Sequence, residues 1–149
     1  MAKFEIIVGS VLGASEYVAD ALAETLAEQG HTSNIHLSPS LSEIDSEAVW
    51  LICSSTHGAG DLPDNIQAFA QQVSQHNLSH IKFLIVGLGD SSYDTFCFAA
   101  LKLQQILTDS QATLLTPAQH IDVLTHPIPE EVAVEWLKQT LPNLRLSAS

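Results

Sequence analysis

The chain has 149 residues, 46% of them hydrophobic, and 17 acids against five Lys and Arg, for a net charge of −12. That length predicts one domain with a sizeable core, and that charge argues against nucleic acid or an anionic membrane as a partner. No apolar run approaches the ~20 residues of a membrane span, and the N-terminus enters a strand at once, so neither a membrane segment nor a signal peptide is expected.

An acidic protein is steered toward basic surfaces of other proteins, and the same charge also secures solubility. Cys53 and Cys97 have no disulfide framework or zinc spacing. They fit reduced thiols and a cytoplasmic location.

Lys3–Val8 reads as the first strand, and Gly9–Ser15 as a turn. A helix is predicted over Glu16–Gln29, with Ser15 as N-cap, Val18, Ala19, Leu22, Ala23 and Leu26 at helical spacing, and Gly30 as its stop. Thr32–Leu37 is a short second strand, and Ser38–Glu47 a connection rich in Ser and acids. Ala48–Cys53 reads as a buried third strand. A helix over Ile66–Gln75 follows, capped by Asp64 or Asn65, then a loop from His76 to His80.

Ile81–Gly87 is apolar nearly throughout, as a central parallel strand should be. After the polar loop Leu88–Cys97, a helix is predicted over Phe96–Ser110. The fifth strand falls within Ala112–Val123, bent near Pro117. The last helix runs from Pro129 to about Leu141, with Pro at its first position and Glu130 and Glu131 in its first turn. Leu144–Ser149 reads as a loose tail. Five strands alternating with four or five helices imply an α/β parallel sheet covered on both faces.

Three polar loops share one property: each follows strand one, three or four at its carboxyl end. In a sheet of order 2-1-3-4-5 those strands are neighbours, and ligands bind beyond their carboxyl ends. The first loop, with backbone N–H groups over 10–15 and the hydroxyls of Ser10 and Ser15, suits a phosphate. It has no Gly-Lys-Ser/Thr, and Gly9 and Gly13 lack the dinucleotide spacing. The second loop, Ser54–Asn65, has hydroxyls, Gly58, Gly60 and one imidazole, but no Lys, Arg or Cys. It suits wrapping a flat polar ligand rather than holding a metal or attacking a carbonyl.

His57 and Tyr93 are the candidate plates for a planar ring. Singly, Tyr93 reads as a half-buried loop anchor and His57 as a solvent-facing imidazole; in facing loops the stacking reading is preferred. Asp61, Asp64, Asp90 and Asp94 crowd the same crevice. His31, His36, His76, His80, His120 and His126 read as surface or loop residues, and Trp50 and Trp136 as core. No nucleophile with a supporting base is visible, and no nucleophile-elbow sequence.

Three segments together resemble the flavodoxin-like FMN-binding family, which includes the FMN domains of sulfite reductase and cytochrome P450 reductase. They are Gly9-Ser10-Val11-Leu12-Gly13-Ala14-Ser15, Ser55-Thr56-His57-Gly58-Ala59-Gly60-Asp61 and Leu88-Gly89-Asp90-Ser91-Ser92-Tyr93 through Cys97. The resemblance covers essentially the whole chain and implies a flavodoxin-like three-layer sandwich. It implies that Ser10, Val11, Leu12, Gly13, Ala14 and Ser15 hold the FMN phosphate. Tyr93 would stack on one isoalloxazine face and His57 cover the other, with Ser55, Thr56, Ala59, Gly60, Leu88, Gly89, Asp90, Phe96 and Cys97 around them. Gly58 would turn its carbonyl toward flavin N5 when the flavin takes one electron, a flip that glycine makes cheap. Asp122 would supply a late acidic contact. Leu12 stands where many members have a hydroxyl, and His57 where Trp or Tyr is common.

The function implied is electron transfer, with the redox chemistry carried by the cofactor. A flavodoxin reductase-type donor, a basic-surfaced acceptor such as biotin synthase, and a monomeric state are expected. Two alternatives stay open: an NAD(P)H-dependent flavin quinone reductase on the same fold, and a flavin-free interaction module.

Overall fold

The aliphatic runs of the sequence lie side by side as parallel strands. The computed structural model describes residues 2–10, 13–56, 60–92, 94 and 96–144. In chain order the elements are β1 (Lys3–Gly9), α1 (Ala14–Glu28), β2 (Thr32–His36), β3 (Val49–Ser54), α2 (Asp64–Ser74), β4 (Lys82–Gly89), α3 (Phe98–Asp109), β5 (Thr113–Leu114), β6 (Gln119–Asp122) and α4 (Pro129–Thr140). Short 3-10 turns occupy Leu41–Glu43 and Leu141–Asn143. The sheet order is β2-β1-β3-β4-β5, with β6 also on β4. This is the 2-1-3-4-5 order expected, and every pairing is parallel.

Alternation along the strands sorts side chains into two layers. Phe4, Ile6 and Val8 of β1, Leu51 of β3 and Val86 of β4 pack with Val18, Leu22 and Leu26 of α1 and Ala133 and Leu137 of α4. Ile7, Ile52 and Ile85 face the other way, onto Ile66 and Phe69 of α2 and Leu103 and Leu107 of α3. Helices therefore cover both faces, giving the three-layer α/β sandwich. Among the described residues, no helix is long and apolar enough to cross a membrane.

The fifth strand is broken rather than bent. Lys82 and Phe83 pair with Thr113 and Leu114, but Val86 pairs with Gln119. Two extra residues have entered the edge strand: the Leu115 N–H still donates to Phe83 O at 3.0 Å, and 116–118 leave the ladder. Pro117 has no N–H to donate to it. In the opposite sense, β4 runs two residues past its expected end, so Leu88 and Gly89 belong to the strand rather than to the loop.

Helix starts differ from the sequence reading in a consistent way. The N-cap of α1 is Gly13 at φ 84°, not Ser15, and no side chain caps that helix. α2 starts at Asp64 after Pro63, and Asn65 is not a cap. α3 begins at Phe98, after Cys97 in left-handed backbone at φ 55°. For α1 and α2 the Ser15 hydroxyl and the Asn65 amide are bonded elsewhere, to Gly9 and Ser55 and to Ser10, Val8 and Leu37. The stop of α1 is as expected: Gly30 takes φ 86° and the His31 N–H reaches Leu26 O at 2.9 Å, a Schellman closure.

Three histidines expected at the surface are partly buried. His36 lies 3.1 Å from the buried carboxylate of Glu5, which also accepts the Asn34 amide (3.0 Å) and the Asp45 N–H (2.9 Å). His31 Nδ1 accepts the Ala2 N–H at 2.9 Å, and its ring meets Phe4 edge-on. His120 lies on β6 beneath α3. His76, His80 and His126 are exposed, as expected. Trp50 is core, whereas Trp136 is only partly buried against it.

Candidate functional site

The carboxyl ends of β1, β3 and β4 stand side by side, and the loops after them are cross-tied. The Gly9 carbonyl accepts both the Ser15 hydroxyl (2.6 Å) and the Ser55 N–H (2.9 Å), and the two hydroxyls lie 2.9 Å apart. This joins the loop after β1 to the loop after β3. A Cβ on Gly9 would lie 2.5 Å from Ser54 Oγ, so the close approach requires glycine.

Asn65 ties the same loops from α2. Its Oδ1 accepts the Ser10 N–H (2.9 Å), and its Nδ2 donates to Val8 O (2.7 Å) and Leu37 O (2.9 Å). By sequence, Asn65 fits the end of the second loop and a helix cap. Its partners sit 28 to 57 residues away, and a local pattern does not register them.

The third loop folds back on the end of β4. A Cβ on Gly89 would lie 2.7 Å from the Cys97 backbone nitrogen. Thr56 Oγ1 accepts the Ala99 N–H at 3.3 Å, and so supplies from the second loop the cap that α3 lacks. Asp122 Oδ1 accepts the N–H groups of Ser91 (3.2 Å) and Leu124 (3.0 Å), holding the third loop against the end of β6. The Ser91 side chain first, then the N–H groups of Leu124 and Ser91, hold the Asp122 carboxyl below the usual carboxylate range against the opposing effect of burial. Asp122, expected as an acidic contact to the cofactor, thus also clips two backbone segments together. Asp90 Oδ1 closes its own turn on the Ser92 N–H and hydroxyl.

Other expected site residues fall as follows. Ser10, Gly13 and Ala14 are half-buried at the first loop, and Ser15 is buried with its hydroxyl donated to the Gly9 carbonyl. Gly60 is buried at φ 98°. Leu88 is buried among the α1 and α4 contacts, so its side chain does not face the crevice. Phe96 is half-buried, with its ring edge-on to His120. The Cys97 thiol is buried, and burial pushes it up to about 12. Val11, Leu12, His57, Gly58, Ala59 and Tyr93 lie outside the described residues, as does the tail after Leu144.

The rim has a mixed character. Among the described residues, the large apolar side chains left exposed are Tyr17, Leu37, Phe98, Leu101, Leu124 and Ile128. Each belongs to the first turn of a helix or to the segment just after a strand, which is the carboxyl end of the sheet. Asp61, Asp64 and Asp94 are exposed at the same end. Lys102 sits 3.9 Å from Asp61.

A family model described as Flavodoxin matches residues 6–136. Protein MioC of Escherichia coli K12 is 45% identical over 139 residues, covering 92% of this chain and 95% of that protein. A MioC homolog of Haemophilus influenzae is 42% identical over 142 residues, covering 94% and 97%. Among solved structures, a mutant flavodoxin of Pseudomonas aeruginosa superposes with a TM-score of 0.84 at 30% identity, covering 96% of this chain and 99% of that one. The matched stretch takes in all three loops and the whole of the sheet's central order, and the chain belongs to the flavodoxin family.

Proposed function

We propose that this protein binds FMN across the three-loop crevice and carries single electrons from a flavodoxin reductase-type donor to an acceptor enzyme. The observation that carries the reading is the cross-tied convergence of the loops after β1, β3 and β4, in a chain of the flavodoxin family. The residues present fit the cofactor. The start of α1 has no side-chain cap, and Gly13 opens it in left-handed backbone, which leaves first-turn N–H groups for an anion.

Phosphate is assigned to residues 10–15, through backbone N–H groups and the Ser10 hydroxyl. The ring is assigned to the space between Ser55–Gly60 and Gly89–Cys97, with Tyr93 stacked on one face and His57 over the other. Leu88, Cys97 and Asp122 act by positioning the third loop. When bound, the flavin supplies the one-electron chemistry, and the chain binds it, orients it and keeps water from it.

The apolar rim and the acids among it suit brief docking on a partner with a basic surface. Biotin synthase is the acceptor to test first. The protein is proposed to act as a cytoplasmic monomer.

The test is the visible absorption spectrum of the purified protein, before and after adding FMN and desalting. Retained flavin bands, lost or weakened about tenfold in affinity on Tyr93→Ala, are expected. A colourless protein after both steps overturns the reading. Reduction of a basic acceptor should slow steeply with salt, and a flat dependence would sink the docking role.

A further inference from the structure

A carboxylate lies over the first loop. Ser10 Oγ donates to Glu16 Oε2 at 3.0 Å, and the same hydroxyl accepts the Gly13 N–H at 3.2 Å. Glu16 Oε2 is 4.0 Å from where a Cβ on Gly13 would stand. A serine hydroxyl has one hydrogen to give. While Glu16 holds it, Ser10 has none for another anion. Ser15 is no substitute, because its hydroxyl donates to the Gly9 carbonyl. Among the described residues, the ion pairs of this chain are Lys3–Asp45, His36–Glu5 and Lys102–Asp61, and none offsets charge at this loop.

We infer that Glu16 is an internal competitor for the phosphate seat, and that it sets how strongly the protein prefers a phosphorylated flavin to an unphosphorylated one. This rests on the FMN reading above. For a phosphate to take the Ser10 hydroxyl, that hydroxyl must turn away from Glu16. The carboxylate then loses its donor and faces a second anion a few ångströms away. Both effects oppose FMN, and neither acts on riboflavin, which carries the same ring without the phosphate.

The side chain also has a reason to be where it is. With Gly13 as N-cap, Glu16 is the third residue of α1, where the helix dipole favours a carboxylate. Its bond to Ser10 ties the first turn of α1 to the end of β1 when no flavin is bound. The order it lends the flavin-free protein is therefore lost on binding, and affinity for the phosphate is lowered accordingly.

The experiment is a fluorescence titration of FMN and of riboflavin with the full chain, freed of flavin, as wild type, Glu16→Gln, Ser10→Ala and the double variant. Glu16→Gln is expected to bind FMN about tenfold more tightly, the size expected of removing one like charge near a dianion in a half-solvated loop. Riboflavin affinity should stay within twofold, roughly the error of such a comparison. In the Ser10→Ala background the gain should shrink, because only the charge repulsion is left to remove. Unchanged or weaker FMN binding by Glu16→Gln, or an equal change for both flavins, overturns the role of Glu16 and leaves the FMN site standing. Failure of every variant to bind FMN, with circular dichroism unchanged, overturns the FMN reading and this inference with it. A variant that binds FMN where the wild type does not supports the inference.

Discussion

Asn65 Oδ1 accepts the Ser10 N–H at 2.9 Å, although the two residues are 55 apart in sequence. With its amide also donating to Val8 O and Leu37 O, one side chain satisfies backbone groups at the ends of β1 and β2 and at the start of the first loop. Asn65→Ala leaves those groups unpartnered and is expected to cost about 2 kcal/mol, read as a lower urea midpoint. Asn65→Asp keeps the acceptor for Ser10 but sets an oxygen against two carbonyls. It should be at least as damaging at neutral pH. A midpoint unchanged by either substitution would show that water replaces these bonds.

Gly87 sits directly beneath α3. A Cβ there would lie 2.5 Å from the Ala100 Cβ, so Gly87→Ala must push the helix off the sheet. The expected loss is about 2 kcal/mol. Adding Ala100→Gly removes the clashing methyl and should recover part of it, less the helix cost of glycine. Two losses that simply add in the double variant would be incompatible with contact at this point.

Among the described residues His120 Nε2 is buried without a hydrogen-bond partner, and burial lowers the pKa of this imidazole. His31 is lowered too, by burial first and then by the N-terminal charge. For a base depressed in the fold, the unfolded chain takes up a proton that the folded chain resists. Stability from these residues is full above the ordinary histidine value of about 6.5 and is lost as the pH falls from there to the lower folded values. His120→Leu should flatten the decline of the melting temperature between pH 7 and pH 5. Wild-type steepness in that variant would sink the assignment.

Cys53 and Cys97 are both buried thiols pushed up to about 12 by desolvation. At pH 8 their reaction with a maleimide in the native protein should be slower than that of a free thiol by about a thousandfold. Labelling should then follow unfolding. Fast labelling of one thiol under native conditions would place that residue in a segment that opens locally.

The sequence made legible what is local and periodic. Val18, Leu22 and Leu26 announce the buried stripe of α1, Ile81–Gly87 a central strand, and Pro129 the start of α4, and all three stand as expected. What it did not show is what a side chain meets far along the chain. Ser15, Asn65 and Thr56 all have the chemistry of caps, and local rules assign such residues to the helix next door. In the fold each spends its polar atoms on another segment: Ser15 on Gly9 and Ser55, Asn65 on Ser10, Val8 and Leu37, and Thr56 on Ala99 at the start of α3 rather than on the nearer α2. Glu5 is hidden for the same reason. In a strand pattern it passes for a solvent-facing residue, and only the arrival of Asn34, His36 and Asp45 makes its burial tolerable.

The two-residue slip between β5 and β6 has a consequence beyond the shape of one edge. A sheet edge is a template on which another chain can continue the ladder. Here the longer uninterrupted piece of that edge has four residues, and the connection before it carries a proline. A neighbouring molecule finds too short a run to lengthen the sheet. The irregular edge thus works as a guard against sheet-to-sheet growth on that side of the molecule.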